Sequence, residues 1–102
     1  MSETFVREEA RQMDEAAART YARSLVRDLK TFAHAPISGY AVCCVVRGAS
    51  GVLYVGCNIE IGKMNDAVHA EQAAIALAFT HEETAIRFLM IGSGRCDMID
   101  DT

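Results

Sequence analysis

A chain of 102 residues, 51% of them hydrophobic, has room for one domain with a real core, although chains this short often draw on a metal or on partner subunits. A net charge of −4 leaves no positive stripe to displace counterions, which argues against binding nucleic acid through its backbone. No apolar run reaches the length of a membrane span, and the N-terminus lacks the basic-then-apolar pattern of a secretory signal. The chain carries Cys43, Cys44, Cys57 and Cys96. The expectation is a reduced, cytoplasmic protein with free or metal-bound thiols.

In chain order, Phe5, Met13, Ala17, Tyr21, Leu25, Leu29 and Phe32 recur at helical steps with charged residues between them. The spacing predicts one helix from Glu3 to Phe32, with Ser2 and Thr4 as candidate caps and Pro36 and Gly39 beyond its end. Tyr40 to Arg47 is a Val-rich run expected to be a strand covered on both faces, which would send Cys43 and Cys44 to opposite sides. Gly48-Ala49-Ser50-Gly51 reads as a turn, and Val52 to Cys57 as the second strand of a hairpin. Asn58 to Asp66 is polar and irregular. Asn65 or Asp66 is placed to cap an alanine-rich helix from Ala67 to Thr80, whose small residues suit close packing on a sheet. Ile86 to Ile91 reads as a third strand, Gly92-Ser93-Gly94 as a turn, and Cys96 to Asp100 as the start of a further helix. The order is that of a single α/β domain without repeats or linkers.

The chemistry concentrates at His69-Ala70-Glu71, near a helix start, with a cysteine beyond the next strand. A zinc-dependent deaminase needs these residue types. The metal lowers the pKa of a bound water, and a glutamate that is not a ligand carries the proton to the base and the leaving amine. Alone, the tripeptide also fits a histidine near a helix N-terminus and an acid favoured in the first turn.

Three blocks in order narrow the reading. His34-Ala35-Pro36-Ile37-Ser38-Gly39-Tyr40-Ala41-Val42 resembles the Ala-Pro-Tyr-Ser-x-Phe-x-Val segment of cytidine deaminases. Gly56-Cys57-Asn58-Ile59-Glu60 resembles their Gly-x-Asn-x-Glu, and His69-Ala70-Glu71-Gln72-Ala73-Ala74-Ile75 their His-Ala-Glu-Gln-x-Ala-Ile. The resemblance covers roughly residues 35–96, the expected core, with 1–34 as N-terminal helix and linker.

The resemblance implies a three-layer α/β fold, a mixed sheet packed between helices, without the family's C-terminal strands and helix. It implies a hydrolase that converts cytidine or deoxycytidine to uridine or deoxyuridine in pyrimidine salvage. One zinc ion per subunit would be held by His69 and Cys96, and Glu71 would be the catalytic acid-base. Asn58 and Glu60 would bond the ribose hydroxyls, Tyr40 would pack beside the nucleoside, and Ala70 would read the base through its backbone. The implied partners are a pyrimidine nucleoside and further copies of the chain, as dimer or tetramer.

The second zinc segment departs from the family's Pro-Cys-Gly-x-Cys-Arg-Gln. Aligning Gly94 with the family glycine makes Cys96 the second ligand and puts Ser93 at the first. Aligning by distance from His69 makes Cys96 the first and puts Ile99 at the second. Either way one cysteine is missing, leaving Ser93, Asp97 and Asp100 as weak candidate third donors. Cys43, Cys44 and Cys57 are expected to be core thiols. Ile37 replaces the family tyrosine, and Glu60-Ile61-Gly62-Lys63-Met64 lacks the usual Glu-Asn-x-Ser-Tyr. The alternative function is therefore a noncatalytic deaminase-fold protein that binds nucleoside weakly or serves as an oligomer partner.

Overall fold

The computed structural model describes residues 4–61 and 67–95. Strand β1 (Val6–Arg7) leads through a 3₁₀ turn at Glu8–Gln12 to helix α1 (Glu15–Leu29), which ends in a second 3₁₀ turn at Lys30–Phe32. Then follow β2 (Tyr40–Gly48), β3 (Leu53–Cys57), a short ribbon of β4 (Ile59–Glu60) with β5 (Ala67–Val68), helix α2 (Ala70–Thr80) and β6 (Ile86–Arg95). The main sheet runs β1-β3-β2-β6, each neighbouring pair antiparallel.

The single N-terminal helix expected over Glu3 to Phe32 is broken near Asp14. The Asp14 carboxylate accepts from the Ala17 N–H at 2.8 Å, satisfying a donor that the first turn of α1 leaves free. A helical repeat in the sequence cannot reveal this break, because the period runs on across it. Thr4 lies in a turn and caps nothing, while Ser2 lies outside the described residues. The buried stripe of α1 is Ala18, Ala22, Leu25, Val26 and Leu29, so Ala17 and Phe32 point out of the core.

The adjacent cysteines divide as a strand requires. Cys43, with Val45, Leu53, Val55 and Phe88, packs under α1. Cys44, with Val46, Val52 and Tyr54, packs under α2. Helix α2 meets the sheet through Ala70, Ala74 and Ala78, one small residue per turn. That stripe allows the close approach that the alanine content suggests.

A buried carboxylate ties the end of α2 to the hairpin. Glu83 accepts from the Ser50 N–H at 3.1 Å, the Ser50 hydroxyl at 2.5 Å and the Tyr54 hydroxyl at 2.6 Å. Burial works to raise its pKa, but the Ser50 and Tyr54 hydrogen bonds outweigh it and hold the carboxyl below its usual 4.5. A depressed folded-state pKa contributes stability that is present above the unfolded value and lost as pH falls through the folded one. The urea midpoint should therefore exceed that of Glu83→Gln at neutral pH, and the gap should shrink below about pH 4. A gap constant from pH 7 to 3 would show that the charge on Glu83 is not what the fold uses.

Candidate active site at the strand ends

The sequence blocks meet at one end of the sheet, on the α2 face. Asn58 follows β3 and stands opposite Val42, and Val42 pairs on its other side with Ser93. The Asn58 side chain bridges the end of the hairpin. Its Oδ1 accepts from the Val42 N–H at 3.0 Å, and its Nδ2 donates to the Tyr40 carbonyl at 3.1 Å. Glu60 accepts from the Ile37 and Ser38 N–H groups at 2.8 and 3.1 Å and from the Ser38 hydroxyl at 2.5 Å. These bonds, led by that of the Ser38 hydroxyl, hold its carboxyl below the usual range. Both residues are nearly buried. Their visible work is to shape the loop before β2, leaving each with part of its hydrogen-bonding capacity for a ligand.

Tyr40 is 50% exposed, so it is no core aromatic and its ring is open to a ligand. Ser38 is a site residue that the motif reading named only as part of a block. It holds Glu60, and its hydroxyl oxygen accepts from the Tyr40 N–H at 3.2 Å. A serine two residues before an exposed aromatic at a strand start was the available signal.

The β4–β5 ribbon brings the third block alongside. Ile59 pairs with Val68 and Glu60 with Ala67, so His69 follows the ribbon directly. The chain before the helix is thus extended, and α2 begins at Ala70, not Ala67. His69 is the N-cap, where Asn65 or Asp66 was expected; those two lie outside the described residues. The Gln72 side chain accepts from the His69 N–H at 2.9 Å, fixing the turn that carries both His69 and Glu71. His69 is exposed, Ala70 buried and Glu71 half-buried.

Gly56 makes this placement possible. A Cβ there would stand 2.4 Å from the Ala74 nitrogen and 2.6 Å from the Ala70 carbonyl oxygen. Cys44 lies beside Gly56 in the strand register and is fully buried. Burial and the nearby Glu71 charge push its thiol up to about 12. Without a metal it stays protonated near neutral pH, as a buried core thiol does.

The turn expected at Gly92-Ser93-Gly94 is strand. β6 continues through these residues to Arg95, with Gly92 opposite Cys43, Ser93 opposite Val42 and Gly94 opposite Ala41. The glycines are accommodated by the ladder, which satisfies their backbone groups and overrides their turn preference. Ser93 therefore sits on a strand, not in a ligand-bearing turn. Cys96, Asp97, Asp100 and the final helix lie outside the described residues. Among the described residues no group of three His, Cys, Asp or Glu side chains is arranged to hold a metal ion, so these donors alone do not fit a zinc site. No described helix is long and apolar enough to cross a membrane.

A sheet with α1 on one face and α2 on the other, and with these blocks at its strand ends, is the cytidine deaminase-like α/β fold. The crystal structure of cytidine deaminase from Mycobacterium tuberculosis matches with a TM-score of 0.70 and 20% identity, over 80% of this chain and 74% of that one. The enzyme from Mycobacterium leprae matches with a TM-score of 0.70 and 18% identity, over 74% and 64%. In sequence the chain is similar to cytidine deaminases. It is 40% identical over 67 residues to that of Vibrio atlanticus and 42% identical over 64 residues to that of Photobacterium profundum. These matches take in 64% and 61% of this chain but 23% and 22% of the relatives, so the chain spans about a quarter of the length of the curated relatives it matches. No family model matches.

Proposed function

We propose that this chain is the nucleoside-recognising core of a hydrolytic deaminase acting on cytidine or deoxycytidine, releasing ammonia and giving uridine or deoxyuridine. The observation that carries this reading is the convergence of Tyr40, Asn58 and Glu60 with His69-Ala70-Glu71 on one face of one sheet end. Asn58 and Glu60 present their remaining polar capacity to ribose hydroxyls, Tyr40 lies against the nucleoside, and the Ala70 backbone reads the base. Glu71 moves a proton from the attacking water to the base and then to the departing amine.

Zinc, one ion per subunit, belongs to this proposal with His69 and Cys96 as ligands. The course of β6 to Arg95 favours the alignment by distance from His69, with Cys96 at the first cysteine position and Ile99 at the second. The third donor would then come from Asp97, Asp100 or a partner chain, since Ser93 is held in the β6 ladder. A cytoplasmic homo-oligomer acting in pyrimidine salvage completes the reading.

The donor shortfall favours a second reading, a deaminase-fold protein that binds nucleoside without turnover. Calorimetry with cytidine and deoxycytidine, beside chromatographic assay of uridine formation with added zinc, separates the two. The deaminase reading expects binding that Asn58→Ala weakens, and turnover that Glu71→Ala lowers by about 100-fold or more. Binding without turnover selects the second reading. No binding of either nucleoside sinks both.

A further inference from the structure

Cys43 and Cys57 occupy directly opposite positions on β2 and β3, and both side chains face α1. The Asn58 N–H bonds the Val42 carbonyl, and the Gly48 N–H bonds the Val52 carbonyl. Hydrogen-bonded pairs alternate along an antiparallel ladder, so Cys43 and Cys57 form a non-hydrogen-bonded pair. Such pairs bring their Cα atoms to about 4.5 Å, at the short end of the range a disulfide spans. The two thiols are free, and each turns toward a carbonyl of α1: Cys57 Sγ donates to that of Leu29 at 3.2 Å, and Cys43 Sγ stands 4.0 Å from that of Leu25. Cys44 cannot compete for either of them, because it lies on the opposite face.

The surroundings make the two sulfurs unequal. The neighbouring Cys57 sulfur and complete burial hold the Cys43 thiol far above its ordinary pKa, with the buried Lys30 acting in the other direction. Cys57 is also the more accessible. It helps line a cavity of about 740 Å³ at the open edge of β3, together with Phe5, Phe32, Ile59, Leu77 and His81.

We propose that Cys43 and Cys57 are a redox-responsive cross-strand dithiol, which hydrogen peroxide converts to a disulfide that clamps the hairpin beside Asn58. The Cys57 thiolate attacks one peroxide oxygen and the O–O bond breaks. The departing hydroxide takes up a proton as water, and Cys57 is left as the sulfenic acid. The Cys43 sulfur then forms the S–S bond, its proton leaving with the sulfenic hydroxyl as a second water. Two thiols lose two electrons, and one peroxide becomes two waters. Short Cα separation strains the bond and keeps it reducible by small thiols, as a switch requires and a permanent staple does not.

The test is independent of any activity on nucleosides. The full chain, treated with one equivalent of peroxide, is digested with trypsin without reduction and mapped by mass spectrometry. Cleavage after Lys30, Arg47 and Lys63 puts Cys43 and Cys57 on separate peptides, 31–47 and 48–63. The expected result is a chain lighter by about 2 Da, with these peptides joined through Cys43 and not Cys44. The link should persist in Cys96→Ser, vanish with dithiothreitol, and raise the melting temperature by roughly 5 °C or more. A bond through Cys44 or Cys96, or Cys57 carried to the sulfinic acid with no link, would overturn the proposal.

Discussion

Replacing Gly56 with valine is expected to abolish folding, and replacing it with alanine to cost about 3 kcal/mol, the upper part of the usual range for overpacking. The reason is what a new Cβ would meet. The Ala74 nitrogen, the Ala70 carbonyl oxygen and the Ala73 carbonyl carbon all lie within 2.9 Å of that position. All are helix backbone, so relief requires moving α2 as a whole off the sheet. That would open the Ala70, Ala74 and Ala78 contacts and draw His69 and Glu71 away from Asn58. Gly92→Ala is the control. Its Cβ would meet only the Val26 side chain, at 2.5 Å from Cγ1, and should cost about 1 to 2 kcal/mol as Val26 gives way. Urea unfolding of the two alanine variants checks the order. Equal losses would mean that the helix is not seated on Gly56 as closely as described.

The second large effect is expected at Arg47, the largest fully buried side chain. Its Nε donates to the Gly51 carbonyl at 3.0 Å, and its Nη2 to the carbonyls of Ala10 and Met13 at 3.1 and 2.7 Å. One guanidinium thus ties the hairpin turn to the segment between β1 and α1. Arg47→Met keeps the stem and leaves these carbonyls without that donor, at about 1–3 kcal/mol for each that stays dry. A loss of about 3 kcal/mol or more is expected, with faster hydrogen exchange over residues 8–14. Glu15, half exposed and 3.5 Å from Nη1, adds little. Glu15→Gln should shift stability by less than about 0.5 kcal/mol. A larger loss in Glu15→Gln than in Arg47→Met would show that the ion pair, not the carbonyl bonds, holds the segment.

Much of the site was legible in the sequence because its signals are local. The Val-rich run of Tyr40 to Arg47 marks a doubly covered strand, and the adjacent cysteines divide between its faces. The alanines of α2 announce a close seat on the sheet. The spacing of Asn58, Glu60 and Glu71 carries the resemblance to cytidine deaminases, and the fold agrees with it.

What the sequence determined by itself was therefore the type and order of most short segments and which polar residues belong to the three blocks that meet at one sheet end. Periodicity and side-chain type act within a few residues, and both are written along the chain. What only the tertiary structure decided were the points where a distant partner outweighs local preference. A helical repeat runs on past Asp14, yet its carboxylate starts a new helix there. The glycines at 92 and 94 favour a turn, yet the β2 edge holds them in a ladder. Ala67 and Val68 can be helical, yet pairing with Ile59 and Glu60 draws them into a ribbon and delays α2 to Ala70. In each case hydrogen bonds to backbone groups that would otherwise lose their partners decide the conformation, and those partners are set by the assembled fold.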